Sequence, residues 1–247
     1  MGINLQDAKA PKGERIYAIG DIHGCLSELE QLLDLIKKDL KKNPIKKHHL
    51  VFLGDYFDRG PDSAGVINRL TKLQKKHANV VCLKGNHEDK FVEFLNAPEK
   101  LAPGFFTYGG LETAASFGVK GKLLKEPVAN AKKVKNQILE RLNKKQIEFL
   151  LGLIHSTSVG DYFFCHAGIR PRVKLKDQTP QDLMWIRHEF LSHKGLFKKI
   201  IVHGHTPQAS PEVMKNRINV DTKCYDSGIL TCVVLEKKTH RFLQTGG

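Results

Sequence analysis

The chain has 247 residues, 40% of them apolar, which suits one sizeable core and an α/β catalytic domain spanning 1–247 as a single unit. Apolar runs such as Lys199 to Val202 and Ile229 to Leu235 fall far short of the roughly 20 residues of a membrane-crossing helix, and the first residues hold no apolar stretch of signal-peptide length. The expectation is a cytoplasmic protein with a flexible N-terminus (1–14) and no membrane association, whose formal charge of +14 favours anionic partners without saying which.

In chain order, Arg15 to Gly20 and His49 to Gly54 read as strands that run straight into Gly-Asp, and Val80 to Lys84 reads as a strand running into Gly-Asn. Between them Leu26, Leu29, Leu32, Leu33 and Ile36, then Val66, Ile67, Leu70 and Leu73, recur at helical spacing. Strand, polar loop and helix thus repeat three times, as in a layered α/β fold. Residues 89–158 carry the turn Tyr108-Gly109-Gly110 and a lysine-rich stretch with few strand signals, and predict a helical segment. Strands return at Tyr162 to His166, Lys199 to His203, Arg217 to Val220 and Ile229 to Glu236, with Asp221 to Gly228 read as a hairpin or tight connection. The five cysteines form no CxxC pair, and several sit in strand-like apolar runs as reduced core thiols.

Ligands of open α/β sheets bind at the carboxyl ends of strands, so the polar residues there are the candidates for a site. Gly20-Asp21-Ile22-His23-Gly24 sets a carboxylate and an imidazole two residues apart, both within reach of one cation. Gly54-Asp55-Tyr56-Phe57-Asp58-Arg59-Gly60 adds two carboxylates and a guanidinium, and Gly85-Asn86-His87-Glu88 a carboxamide, an imidazole and an acid. His166 and the pair His203 and His205 close two later strands. Any one of these is most simply a cap, a turn residue or a surface histidine. Five in succession, each at a strand end, make that reading untenable.

The ordered set GDIHG, GDYFDRG, GNHE, HAG and HGHTP resembles the phosphoprotein phosphatase family within the calcineurin-like metallophosphoesterases, especially its small bacterial and phage serine/threonine phosphatases, over roughly Arg15 to Glu236. The resemblance implies a four-layer α/β sandwich of two mixed β-sheets flanked by helices. It implies that Asp21 and His23 bind a first metal ion, that Asp55 bridges two, and that Asn86, His166 and His205 complete the second. Spacing alone does not choose between His203 and His205; the family's GHT match selects His205. Mixed oxygen and imidazole donors without thiolates suit two manganese ions, with iron or zinc as substitutes.

Such a pair of cations lowers the pKa of a shared water for in-line attack by hydroxide on a phosphate ester. His87, beside the ligand Asn86, is left free to protonate the leaving group, with Asp58 orienting it. Arg59, and Arg187 shortly after Trp185, are expected to hold phosphoryl oxygens. The leading expectation is a phosphomonoesterase acting on phosphoserine, phosphothreonine or phosphotyrosine in proteins, or on small phosphate monoesters. The alternative is a hydrolase of dinucleoside polyphosphates or RNA caps. Retention of Asp58-Arg59-Gly60 counts for the first, because the symmetrical diadenosine tetraphosphate hydrolases depart from DRG there. A non-catalytic metal- or nucleic-acid-binding module is a third reading, against which the intact ligand set argues, and few aromatics interleave with the lysine runs as nucleic-acid stacking requires. Lys223 and Cys224 after Asp221-Thr222 depart from the family, and no tyrosine-bearing C-terminal segment matches that of the eukaryotic phosphatases.

Overall fold

A computed structural model describes residues 2–246. The first half runs β1 (Glu14–Ile19), α1 (Leu26–Lys42), β2 (Lys47–Phe52), α2 (Ser63–Lys76), β3 (Val80–Cys82) and α3 (Asn86–Asn96). A helical excursion follows, through α4 (Pro98–Phe105), α5 (Leu111–Ser116), α6 (Lys122–Lys125), α7 (Ala131–Arg141) and α8 (Lys144–Leu151). The second half holds β4 (Ser156–Val159), β5 (Tyr162–Cys165), α9 (Pro180–Trp185), α10 (His188–Leu191), β6 (Ile200–His203), β7 (Glu212–Val213), β8 (Arg217–Asn219), α11 (Cys224–Ser227), β9 (Thr231–Glu236) and β10 (Thr239–Gln244).

Two five-stranded mixed sheets result, ordered β10-β9-β1-β2-β3 and β4-β5-β6-β8-β7. The centre of each is parallel, β1 with β2 with β3 and β5 with β6 with β8, while β4, β7, β9 and β10 pair antiparallel at the flanks. Successive side chains of a strand point to opposite faces, and that alternation builds the layers. Ile16 and Ala18 of β1, Tyr162 and Phe164 of β5, Ile200 and Val202 of β6 and Val233 and Leu235 of β9 fill one apolar layer between the sheets. Their neighbours Tyr17, Ile19, Cys232 and Val234 face outward to Leu29, Leu32, Leu33 and Ile36 of α1. On the far side, Phe163, Cys165 and Ile201 meet Leu183, Ile186 and Phe190. The order is therefore helices, sheet, sheet, helices, as the resemblance implies.

At the edge of the first sheet Asp39 of α1 collects Tyr17 Oη and Arg241 Nη2 at 2.6 Å each and Arg15 Nη1 at 3.3 Å, tying α1 to β1 and β10. The helical excursion leaves and re-enters at one place: Lys84 N donates to Ile154 O at 2.8 Å, and Leu83 and Ile154 form a parallel bridge. Lys90 is already inside α3, and the segment 89–158 is helical as expected except at its end, where β4 begins.

Two expectations need correction. Asp221 to Gly228 is no hairpin, since β8 and β9 lie in different sheets and the segment crosses between them through α11. Within 1–14, the described residues are tied to the body: Ile3 N donates to Phe197 O at 2.8 Å, Leu5 N to Lys215 O at 2.9 Å and Lys9 N to Asp161 Oδ2 at 3.0 Å, with Ala8 and Ala10 buried. The apolar residues that make the contact, Ile3, Leu5, Ala8 and Ala10, are too few and too irregularly spaced to reveal this. No helix among the described residues is long and apolar enough to cross a membrane.

Candidate metal centre

All six parallel strands point their carboxyl ends to one place. Asp21 follows β1, Asp55 follows β2, Asn86 follows β3, His166 follows β5, His205 follows β6 and Asp221 follows β8. All six are buried, and Asp21, Asp55, Asn86, His205 and Asp221 line a cavity of about 460 Å³. The backbone there is bent hard. Among the described residues, five of the eight non-glycine residues with positive φ are His23, Asp55, Asp58, Arg59 and His205, each held between +44° and +70°. Left-handed backbone of this kind costs on the order of 1–3 kcal/mol per residue and persists where the surroundings over-determine it. At Gly204 a Cβ would overlap Asp21 Oδ1, so the turn that presents His205 requires glycine.

The donor chemistry asks for cations. His23 Nδ1 lies 2.7 Å from Phe57 O and His166 Nδ1 lies 3.0 Å from Leu53 O; a carbonyl only accepts, so both Nδ1 atoms carry the proton and both Nε2 atoms present lone pairs. The lone pair of His23 Nε2 faces Asp55 Oδ2 at 3.5 Å. That of His166 meets Asp55 Oδ1 at 3.3 Å, Asn86 Oδ1 at 2.8 Å and His205 Nδ1 at 3.1 Å. Acceptor facing acceptor in a dry site is stable only with a positive charge between them. Among the described residues no lysine or arginine pairs with Asp21, Asp55 or Asp221. The ligand atoms of Asp55, His166 and His205 lie within 4.8 Å of one another, as do those of His23, Asp55 and His87. Asp21 stands beside these trios, its carboxylate accepting from His205 N at 3.0 Å.

Titration follows the same logic. Burial, with the cationic neighbours His87 and Arg59, pushes His23 down to about 3, and burial beside His166 pushes His205 down to about 2, so both rings are neutral and free to ligate. Burial and the nearby Asp221 and Asp55 raise the Asp21 carboxyl well above its ordinary value.

His87 is oriented for a separate task. Its Nδ1 donates to Asp58 Oδ2 at 2.6 Å and its Nε2 stands 3.9 Å from Asp55 Oδ2. Burial works to lower its pKa, yet the charges of Asp55 and Asp58 prevail and raise it. Asp58 in turn accepts from Thr113 Oγ1 at 2.6 Å. Arg59 Nη1 donates to Tyr225 Oη at 2.8 Å, and Arg59 N to Gly109 O at 3.3 Å. Arg187, exposed, reaches Thr206 Oγ1 at 3.4 Å and lines the same cavity. Asp21, His23, Asp55, Arg59, Asn86, His87, Arg187 and His205 thus line one cavity, with Asp58 and His166 behind it against His87 and Asn86. His203 does not, since it turns under the site against Phe190 with ring centroids 5.0 Å apart.

Four supporting residues escape the sequence. Glu88, fully buried, accepts from Gly85 N at 2.8 Å, Asp55 N at 2.9 Å and Tyr56 N at 2.7 Å, stitching the β2 and β3 ends together. Burial and Asp55 push its carboxyl up to about 7. Thr113 comes from the helical excursion, and Tyr225 from the crossing segment, its ring set edge-on to His23 at 5.2 Å. Asp221 carried a signal, an acid at a sixth strand end.

A family model described as calcineurin-like phosphoesterase matches residues 14–230. The chain is 31% identical over 235 residues to "Bis(5'-nucleosyl)-tetraphosphatase PrpE [asymmetrical]" of Bacillus subtilis, covering 86% of this chain and 87% of the relative. It is 28% identical over 242 residues to the protein of the same name from Oceanobacillus iheyensis, covering 91% and 90%. A solved structure described as a putative diadenosine tetraphosphatase aligns with a TM-score of 0.61 at 20% identity over 96% of this chain and 97% of its own. These findings overturn the expectation of a phosphoprotein phosphatase: the full-length relatives carry the name of the alternative. A metal-activated water and a proton donor would serve monoester and anhydride hydrolysis alike, so keeping Asp58-Arg59-Gly60 does not separate the two.

Proposed function

The chain belongs to the calcineurin-like phosphoesterase family, and from that premise we propose that it hydrolyses a phosphoanhydride bond of dinucleoside polyphosphates, releasing two nucleotides. The observation that carries this reading is the similarity, along nearly the whole chain, to tetraphosphatases of that name. The family works with divalent metals, and the clustered histidines and carboxylates suit them. In this reading Asp55 is shared by two ions, with Asp21 and His23 on one side and Asn86, His166 and His205 on the other. Manganese, iron and zinc all fit such a donor set. Bound divalent ions supply polarisation of the attacking water and neutralisation of the phosphoryl oxygens.

The chain's own groups do the rest. Arg59, held by Tyr225 Oη, presents a planar guanidinium to two non-bridging oxygens of the attacked phosphate, and Arg187 meets it from the opposite rim. His87 Nε2, its ring fixed by Asp58, holds a proton toward the departing oxygen. Water adds across the anhydride, so diadenosine tetraphosphate plus water gives ATP plus AMP in an asymmetric cut. Incubation of the manganese-loaded protein with diadenosine tetraphosphate, resolved by anion-exchange chromatography, is expected to yield those two nucleotides in equal amounts. No cleavage by folded, metal-replete protein would sink the proposal. Asp55→Asn is expected to lose both ions together by elemental analysis, and two tightly held ions in that variant contradict the shared ligand.

A further inference from the structure

The metal cavity does not end at the metal side chains. Lys90, Tyr108 and Trp185 line it, and the same three residues line a second cavity of about 420 Å³ outside it, bounded by α3, α4 and α9. The two cavities form one groove with a common waist. Lys90 Nζ lies 5.4 Å from the centre of the Trp185 ring, which stands edge-on to His205 at 6.3 Å. Tyr108 is 57% exposed, and no aromatic partner packs on its ring among the described residues. It sits at a break in the helical path, where Tyr108 (φ −98°) and Gly109 (φ 104°) leave helical geometry and turn the phenol onto the rim. A bulky apolar ring held out in this way, beside a half-buried indole, is a surface for something flat.

The chemistry of the two chambers differs. The inner one offers Arg59, Arg187 and Lys90 around the proposed ions, which suits phosphates. The outer one is lined by Asp89, Glu93 and Gln181 as well as Lys100. Carboxylates repel phosphate but accept hydrogen bonds from ribose hydroxyls and exocyclic amines. Lys90, at the waist and paired with Glu93 at 2.9 Å, marks where one character passes into the other.

Resting on the dinucleoside polyphosphate reading above, we propose that the outer cavity is the subsite for the second nucleoside of the substrate, its base against Tyr108 and Trp185 and its phosphate chain passing Lys90. Stacking of a base on an aromatic side chain is worth enough that losing one ring shifts affinity by about tenfold. Steady-state kinetics of Tyr108→Ala with diadenosine tetraphosphate are therefore expected to show KM raised about tenfold with kcat unchanged. Tyr108→Phe is expected to keep the wild-type KM. On p-nitrophenyl phosphate, which has no second nucleoside, Tyr108→Ala is expected to match the wild type. Trp185→Ala is likewise expected to raise KM for diadenosine tetraphosphate, and Trp185→Phe to restore it. An unchanged KM for diadenosine tetraphosphate in Tyr108→Ala overturns the subsite while leaving the activity standing. Equal losses on both substrates also overturn it, because they report distortion of the metal centre. If the wild type turns over p-nitrophenyl phosphate but not diadenosine tetraphosphate, the functional reading itself fails and takes the subsite with it.

Discussion

His87 and Asp58 are where the identity of the leaving group becomes measurable. An imidazole at donating distance from the departing oxygen contributes typically 10²–10⁴-fold when that oxygen leaves as a basic alkoxide. A departing nucleotide phosphate is far less basic and needs the proton less. His87→Asn is accordingly expected to cut kcat on an alkyl phosphate such as glycerol 2-phosphate at least about tenfold more than on diadenosine tetraphosphate. Equal losses would remove the general-acid role. The proposed ligands and the proposed acid can be picked out because each sits in a short motif at a strand end. The parts that Glu88, the acid of one such motif, and Thr113 play were not legible. Their work is to receive or give hydrogen bonds across 32 and 55 residues of chain, which no local spacing records. Tyr225 was hidden because it directly follows Lys223 and Cys224, where the chain departs from the family pattern, although its ring still reaches Arg59.

Among elements, the excursion after α3 reaches the site through Thr113, Tyr108 and one glycine. A Cβ at Gly109 would stand 2.5 Å from the amide nitrogen of Arg59, in a conformation at φ +104° that side chains rarely adopt. Gly109→Ala is expected to displace Arg59 and lower kcat/KM about tenfold or more, as loss of a positioned charged contact does, with circular dichroism unchanged. Retained activity would show that the turn is merely tolerated. The strands that run into Gly-Asp or Gly-Asn were legible from β-branched runs. β4, β7 and β10 were not, being flank strands rich in polar residues whose pairing depends on the neighbour. The crossing segment was misread because local turn signals do not say which sheet the next strand joins.

Asp39 makes a stability argument at the same scale. Burial opposes its ionisation, but Tyr17, Arg241 and Asn43 hold the carboxyl below its ordinary value. A carboxyl depressed in the fold stabilises it at pH above the unfolded pKa of about 4, and that contribution fades as pH falls through the lower folded value. Asp39→Asn leaves Arg15 with Glu236 as its remaining charged partner, and is expected to cost about 1–2 kcal/mol at pH 7 by urea unfolding. The wild type's loss of stability below about pH 4 is expected to flatten in the variant. An identical acid slope in both would place the titrating group elsewhere.

Over the whole molecule the charge of +14 becomes a kinetic prediction. A polyanionic substrate gains from long-range attraction only while salt leaves it unscreened. Raising ionic strength from about 0.01 M to about 0.15 M shortens the Debye length from roughly 30 Å to roughly 8 Å. kcat/KM for diadenosine tetraphosphate is expected to fall more steeply over that range than for p-nitrophenyl phosphate, and parallel slopes would confine the excess charge to solubility. The layered fold was legible at this scale, whereas the substrate class was not. Motifs report the chemistry common to the family, while the groove that selects a substrate is made by residues scattered from Lys90 to Trp185.

The meeting of Lys84 with Ile154 bears on how such a groove arises. A loop whose two ends are already clasped owes no further closure entropy to the sheets, so its interior can lengthen, shorten or be exchanged at small cost. The strand ends keep their chemistry while the cassette between them, which carries Tyr108 and braces Arg59, is free to diverge. The groove proposed for the second nucleoside is thus built largely on a clasped insertion, apart from the strand ends that carry the candidate metal set.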